Sequence, residues 1–116
     1  MPVPLCQAKA DFLRTLGHPL RVQVLELLQD GPLSVRDMLA VIEVDSSSLS
    51  QQLAVLRRAG IVTATREGAT VVYALSSADV AGLLQAVRRI LTDMIAGRSQ
   101  LLDQLRDAGA THPRPG

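Results

Sequence analysis

The chain has 116 residues, of which 47% are hydrophobic, so it can build one core but is too short for two domains. Its formal net charge of +1 excludes a uniformly basic nucleic-acid binder and leaves any such affinity to the placement of single arginines. No apolar run is long enough to cross a membrane, and the N-terminus does not resemble a secretion signal. The one cysteine, Cys6, has no internal disulfide partner. We therefore expect a cytoplasmic protein with a single domain.

Two helices are predicted at the start of the chain. Apolar residues recur at intervals of three and four from Leu5 to Leu16, which indicates a helix with one apolar face that ends at Gly17. Pro19 then occupies a tolerated first-turn position of a second helix. That helix is predicted to stop near Asp30.

Two more helices follow, and the second begins with an unusual number of serines. Ser34 is predicted to cap a short third helix by accepting a hydrogen bond from the amide of Asp37, and Asp45 to cap the fourth. The polar residues around the start of the fourth helix are Ser46, Ser47, Ser48, Ser50, Gln51 and Gln52. Serine is a poor helix former, whereas the free amides of a helix start attract phosphate. So many serines in one place therefore indicate that their hydroxyls are used.

A β-hairpin is predicted next. Gly60 is expected to end the fourth helix in the left-handed region of backbone space. Residues 61–65 and 70–75 are rich in β-branched side chains and are predicted to be strands joined by a loop at 66–69. Two strands alone are marginally stable, so the hairpin is expected to pack on the helices.

The last predicted helix runs from about Ala78 to Leu105, with Ser76 or Ser77 as its cap. Its apolar residues recur along its whole length, which is more apolar surface than so small a domain can cover. We therefore expect it to pack against a second copy of the chain. Residues 107–116 are predicted to be a disordered tail, which leaves 1–106 as the folded domain.

Three segments in this order closely resemble the ArsR/SmtB family of small dimeric bacterial repressors. They are LGHPLRVQVLELL at 16–28, SSLSQQLAVLRRAGIV at 47–62 and REGATVVYAL at 66–75, and the similarity covers about residues 8–97. The resemblance implies a winged helix-turn-helix, a mainly α fold of five helices with a β-hairpin wing. It also implies a homodimer, formed through the first and last helices, that binds double-stranded DNA at an inverted repeat. More loosely, the chain is similar to an actinobacterial nickel-responsive regulator of superoxide dismutase genes.

The family's DNA contacts fall, by this resemblance, on the start of the fourth helix. The positions are Ser46, Ser47, Ser50 and Gln51. Glutamine can pair bidentately with adenine, and serine can contact base edges or phosphates. Arg66 in the wing is expected to contact a phosphate or the minor groove, and Arg36 on the third helix to contact the DNA backbone. Many relatives carry a basic residue just after the glycine of the wing turn, where this chain has Ala69, so wing binding is expected to be weaker. The alternative is that the serines form an ordinary solvated helix start.

The family's metal-binding positions are only partly occupied here. A site on the third helix would fall on Ser34 and Asp37, without the cysteine that a thiolate site needs. A site on the last helix would fall on Ser77, Asp79, Ile90 and Asp93, without either histidine. The remaining pair, Asp79 and Asp93, could meet across a dimer as a weak site of hard ligands, or could be two solvated acids.

Three other potential ligands are scattered along the chain. His18 is interpreted mainly as a local cap or a surface histidine, although it is a weak metal candidate. Cys6 is by default a small buried hydrophobic residue, with metal ligation or oxidation as the alternative, and His112 lies in the tail. A divalent metal such as Ni(II) would have to recruit these groups, or effector sensing would belong to a partner protein.

Two functions remain open. One is a sequence-specific DNA-binding regulator, acting as a repressor. The other is a winged-helix module that docks a partner protein through its long last helix, which the low net charge and Ala69 slightly favour. An enzyme is not expected, because the sequence offers neither a Ser/His/Asp set nor a glycine-rich phosphate loop.

Overall fold

The computed structural model describes residues 3–111 and, within them, the side chains of residues 4–108. The elements are α1 (Val3–Leu16), α2 (Pro19–Leu28), β1 (Leu33–Ser34), α3 (Val35–Leu39), α4 (Ser46–Arg58), β2 (Val62–Glu67), β3 (Thr70–Leu75) and α5 (Ala78–Thr111). The chain divides into two units, Met1–Gly82 and Leu83–Gly116. The first holds the helix-turn-helix and the sheet, and the second consists of most of α5.

Short-range caps set the starts of α2 and α3. The His18 side chain accepts a hydrogen bond through Nδ1 from the amide of Leu20, 3.2 Å away, and Pro19 occupies the first helical position. The Ser34 hydroxyl accepts from the amide of Asp37 at 3.1 Å. The predicted cap on α3 and the interpretation of His18 as a local cap are therefore confirmed.

The core of the first unit is aliphatic and fixes α4 from one side. Its buried side chains include Val24, Leu25, Leu28, Met38, Ile42, Leu49, Leu53, Leu56, Ile61 and Val62. They come from α2, α3, α4, the start of β2 and the segments before α4 and β2, and α4 contacts α2, α3 and β2. Burying one such side chain contributes roughly 1.5–3 kcal/mol, so the apolar side of α4 is held firmly inward.

The sheet has three antiparallel strands in the order β1-β3-β2. The strand β1, in which Leu33 pairs with Tyr73, was not predicted from the sequence. The predicted loop at 66–69 was too long. Glu67 pairs with Thr70, so the turn consists of Gly68 and Ala69 alone, and Arg66 lies on β2 opposite Val71. The φ of Gly68 is 64°, at the position where a type II′ turn needs glycine.

The helix α5 starts as predicted and ends later. The hydroxyl of Ser77 accepts from the amide of Asp79 at 3.1 Å, whereas that of Ser76 donates to the Ile61 carbonyl at 2.8 Å, so Ser77 is the cap. The helix continues to Thr111, past the predicted end at Leu105, because no proline interrupts it before residue 113. It thus includes the first residues of the predicted tail. The remainder of the tail, with His112, lies outside the described residues, and the domain boundary after residue 106 stays a prediction.

The second unit exposes many large apolar side chains. They are Val87, Ile90, Leu91, Met94, Ile95, Leu101, Leu102 and Leu105, each at least 42% exposed. On a helix these positions recur at three and four and form one stripe. No helix among residues 3–111 combines the length and the apolarity needed to cross a membrane.

Candidate nucleic-acid interface

The start of α4 presents a polar surface to solvent. The exposed residues there include all four of the predicted contacts, Ser46, Ser47, Ser50 and Gln51. At about 100° per residue, Ser47, Ser50 and Gln51 lie away from the side on which the helix buries its leucines. Ser46 lies on the side of Leu53 and is exposed in the first turn of the helix. One side of α4 is therefore anchored in the core while the other is free to meet a ligand.

The carboxylate of Asp45 organises this helix start. It accepts hydrogen bonds from the amide of Ser48 at 3.0 Å, the hydroxyl of Ser48 at 2.7 Å and the hydroxyl of Ser47. The bond from Ser47 and the two from Ser48 lower the pKa of Asp45 from 3.8 to about 2, because each favours the ionised form. Asp45 is thus both the predicted N-cap and the acceptor that orients two serine hydroxyls.

The serines differ in what they can offer a ligand. The Ser47 hydroxyl proton is directed to Asp45, so its oxygen is left to accept from an outside donor. Ser46 and Ser50 make no side-chain hydrogen bond with any described residue, and each can donate or accept. An exposed row with both capacities is suited to reading base edges, which present donors and acceptors in alternation.

A contact beside this surface, between Arg21 and Gln52, was not predicted from the sequence. Gln52 is half-buried at the margin of α4, and its Oε1 accepts from the Nε of Arg21 in α2 at 2.8 Å. A guanidinium nitrogen of Arg21 also donates to the carbonyl of Thr15 at 3.1 Å. Arg21 and Gln52 are 31 residues apart, so no local pattern in the sequence signals their contact.

Basic side chains lie exposed on α4 itself, on α3 and on the wing. Arg36 is on α3, Arg66 is near the tip of the wing, and Arg57 and Arg58 are in the last turn of α4. None of the four forms an ion pair with another described residue, so their charge is available. Ala69, exposed in the wing turn, adds no charge there.

The candidate metal ligands within residues 4–108 do not assemble into a site. Among the described residues, no three His, Cys, Asp or Glu side chains come close enough to hold an ion. Asp79 lies in the first turn of α5 and Asp93 in the second unit, and both are exposed. The Nδ1 of His18 is engaged as a cap. Cys6 is exposed on α1, so the default expectation that it is buried is wrong. A site that two copies of the chain form together stays a prediction.

The sequence model of the family described as "Bacterial regulatory protein, arsR family" matches residues 18–64. The HTH-type transcriptional regulator Rv0081 of Mycobacterium tuberculosis is 43% identical over 108 residues, which cover 92% of this chain and 95% of that protein. The chain belongs to the ArsR/SmtB family. Members of this family regulate transcription and are not enzymes, and they bind double-stranded DNA.

Structural comparison agrees with the ArsR/SmtB assignment. The crystal structure of Rv0081 matches with a TM-score of 0.79 at 42% identity, covering 84% of this chain and 99% of that chain. The homodimeric winged helix-turn-helix domain Mb0332 of Mycobacterium bovis matches with a TM-score of 0.73 at 27% identity, covering 79% and 85%. A biofilm growth-associated repressor of Agrobacterium fabrum is 36% identical over 94 residues, covering 78% of this chain and 80% of that protein. The predicted mainly helical fold with a β-hairpin wing is confirmed.

Proposed function

We propose that this chain represses transcription as a homodimer that binds an inverted-repeat operator, with α4 in the major groove. The observation that carries the proposal is the exposed row Ser46, Ser47, Ser50 and Gln51 on a helix whose opposite side is buried. A helix of this kind fits a major groove about 12 Å wide, with its N-terminal residues toward the bases.

The side chains of the row suggest what they read. Gln51 can pair bidentately with N6 and N7 of adenine. The Ser47 oxygen, whose proton goes to Asp45, suits an amino donor such as N6 of adenine or N4 of cytosine. Ser46 and Ser50, at the helix start, suit phosphates or base acceptors. Arg66 and Arg36 add phosphate contacts from the wing and from α3.

Dimerisation supplies the second half of the operator contact. Two copies related by a two-fold axis would present their α4 helices to grooves one helical turn apart, which matches an inverted repeat. The exposed apolar side chains of α5, together with Leu5, Phe12 and Leu13 on α1, are suited to cover each other between copies. The homodimeric state of Mb0332 supports this arrangement. Acting on bacterial DNA, such a dimer would work in the cytoplasm.

The residues at the family's metal positions on α5 bear on how the chain senses an effector. Of the four family metal positions on the last helix, two hold a carboxylate, Asp79 and Asp93. Carboxylates are hard ligands that suit Ni(II) poorly. A partner protein that brings the effector response therefore fits this chain better than direct metal binding. The long exposed stripe of α5 is also the surface on which the alternative function, docking of a partner protein, would depend.

The test begins with selection of bound sequences from a random duplex library, because the operator is unidentified. We expect an inverted repeat to be enriched. Gln51→Ala should bind the enriched duplex about tenfold more weakly while remaining dimeric, because one bidentate base contact is worth roughly 1–3 kcal/mol. Gln23→Ala, an exposed glutamine on α2, is the matched control and should bind as the wild type does.

Four outcomes would count against parts of the proposal. If no sequence is enriched and no duplex binds at low salt, the docking function replaces DNA binding. If Gln51→Ala retains full affinity, α4 is not the reading helix. If Ni(II) added to the titration changes the affinity of the purified chain, direct sensing replaces sensing by a partner. Transcription from a promoter that carries the repeat should fall when the chain is present, and a rise would overturn repression.

A further inference from the structure

Arg21 connects three helices of the first unit. It lies in the first turn of α2, where its Nε donates to Oε1 of Gln52 in α4 at 2.8 Å. One of its terminal nitrogens donates to the carbonyl of Thr15 at 3.1 Å, in the last turn of α1. The last carbonyls of a helix have no partner within it, and the negative end of the helix dipole attracts a cation. The guanidinium therefore closes α1 with one edge while it holds α4 with another.

The position of Gln52 makes this link relevant to α4. Gln52 is half-buried at the margin between the buried leucines and the exposed row, about 100° around the helix from Gln51. Contacts of Leu49, Leu53 and Leu56 hold α4 against the core, but apolar contacts have little directional preference. A hydrogen bond from a charged planar donor is directional and stronger than a neutral one. It can therefore fix the rotation of α4 about its own axis.

We propose that Arg21 is a positioning residue for DNA recognition, which sets the angle at which α4 presents its row to the bases by holding Gln52. The inference rests on the proposed function of α4. It assigns to Arg21 and Gln52 no contact with DNA. Through Thr15 and Arg21, α1 is directly connected to α4. The exposed apolar residues of α1 are proposed to lie in the dimer interface.

A direct phosphate contact by Arg21 is the competing explanation, and salt dependence separates the two. Loss of one phosphate contact reduces the slope of log affinity against log salt by about 0.9 and weakens all duplexes alike. Loss of positioning leaves the slope and the affinity for random duplex unchanged, and weakens only the selected sequence. A merely structural role would lower the melting temperature without this selectivity.

The experiment compares Arg21→Lys, Gln52→Leu and the double variant in the full-length chain, titrated with the enriched duplex and with a random duplex. Lysine keeps the charge but cannot reproduce the two-way donation of a guanidinium. Each single variant should lose about tenfold in affinity for the enriched duplex, the size expected for a hydrogen bond to a charged group. The double variant should also lose about tenfold rather than a hundredfold, because both changes remove the same link. Arg14→Lys is the matched control, because among the described residues the Arg14 side chain pairs only with the exposed Asp11.

A second measurement tests the link without DNA. In spectra of the ¹⁵N-labelled protein, the Nε–H resonance of Arg21, identified by its absence in Arg21→Lys, should shift in Gln52→Leu and not in Gln51→Ala. If Arg21→Lys fails to fold, Gln52→Leu alone carries the test. Any one of three results would overturn the inference. Gln52→Leu could leave both the Arg21 resonance and the DNA affinity unchanged, Arg21→Lys could reduce the salt slope, or the losses of affinity in the double variant could be additive. If the wild type selects no sequence at all, the proposed function fails and the positioning role with it, whatever the resonance shows.

Discussion

A single carboxylate, that of Asp45, determines the geometry at the start of α4. The first amides of a helix have no partner within it, and Asp45 satisfies that of Ser48 while orienting the hydroxyls of Ser47 and Ser48. The negative charge also suits the positive end of the helix dipole. The same negative charge lies beside the surface proposed to bind DNA, whose phosphates would repel it. Three hydrogen bonds, one from Ser47 and two from Ser48, hold the carboxylate in place against this repulsion.

The lowered pKa of Asp45 predicts how stability depends on pH. Since the folded-state pKa is about 2 and the ordinary value is 3.8, the ionised carboxylate stabilises the fold above about pH 4, and this contribution is lost as the pH falls through 2. Asp45→Asn, which retains a capping oxygen without the charge, should therefore be less stable than the wild type at pH 6. Urea unfolding at a series of pH values should show the difference narrowing between pH 4 and pH 2.

Asp30→Asn provides the comparison for this prediction, because Asp30 is also exposed and makes no hydrogen bond or ion pair with a described residue. Its stability difference from the wild type should not follow the same course. A difference between the wild type and Asp45→Asn that stays constant from pH 6 to pH 2 would show that the charge of Asp45 does not contribute as argued.

Residues whose partner is close in the sequence could be predicted, and those with distant partners could not. The caps Ser34 and Asp45 act on amides three residues away, so the residue type and its place before an apolar pattern are enough to identify them. Arg21 and Gln52 meet only because α2 and α4 pack together. Their pairing depends on the tertiary structure, and nothing in the local sequence distinguishes Gln52 from Gln51.

The C-terminal end of α4 is a turn that depends on glycine. The amide of Ile61 donates to the carbonyl of Leu56 and that of Gly60 to the carbonyl of Arg57, both at 3.0 Å, which is the hydrogen-bond pattern of a Schellman motif. The φ of Gly60 is 77°. Leu56 and Ile61, at the two positions between which this motif commonly has an apolar contact, are both buried. The turn leads the chain directly from α4 into the wing.

Substitution of Gly60 tests the role of this turn. A Cβ at Gly60 would meet no atom within 4 Å, so Gly60→Ala should be destabilising through its backbone conformation alone, by about 1–2 kcal/mol. Gly82→Ala is the matched control, since Gly82 lies inside α5, its Cβ would also meet nothing, and alanine there should stabilise by roughly 0.5–1 kcal/mol. Thermal or urea unfolding of both variants measures the two effects, and equal effects of the same sign would contradict the assignment of the turn.

Whole elements were predicted well where a pattern was long, and poorly where it was short. Four of the five helices were recognised because apolar spacing extended over ten or more residues, whereas the short α3 was recognised from its Ser34 cap. The strand β1 has only two residues, Leu33 and Ser34, which is too few for any periodicity to appear. The wing turn was placed too broadly because Arg66 and Glu67 are polar and exposed, although both still pair with β3.

The second unit relates this single chain to its proposed assembly. Its large apolar side chains are about half exposed along one stripe of α5, a surface that a soluble domain rarely leaves uncovered. The net charge of +1 gives one copy little general attraction for DNA. Pairing two copies doubles the number of specific contacts without raising the charge of either, so a regulator of this composition depends on its dimer more than a strongly basic one would.

Leu91→Glu tests that dependence. Leu91 is 52% exposed within the apolar stripe, and a carboxylate there would be desolvated on dimerisation, so we expect sedimentation velocity to show a dimer for the wild type and a monomer for the variant. Affinity for the enriched inverted repeat should fall, and its salt slope should approach half the wild-type value, because one copy contacts half the phosphates. Gln100→Glu adds the same charge to an exposed position on the opposite side of α5 and should remain dimeric. A Leu91→Glu protein that stays dimeric and binds as the wild type does would place the dimer interface elsewhere.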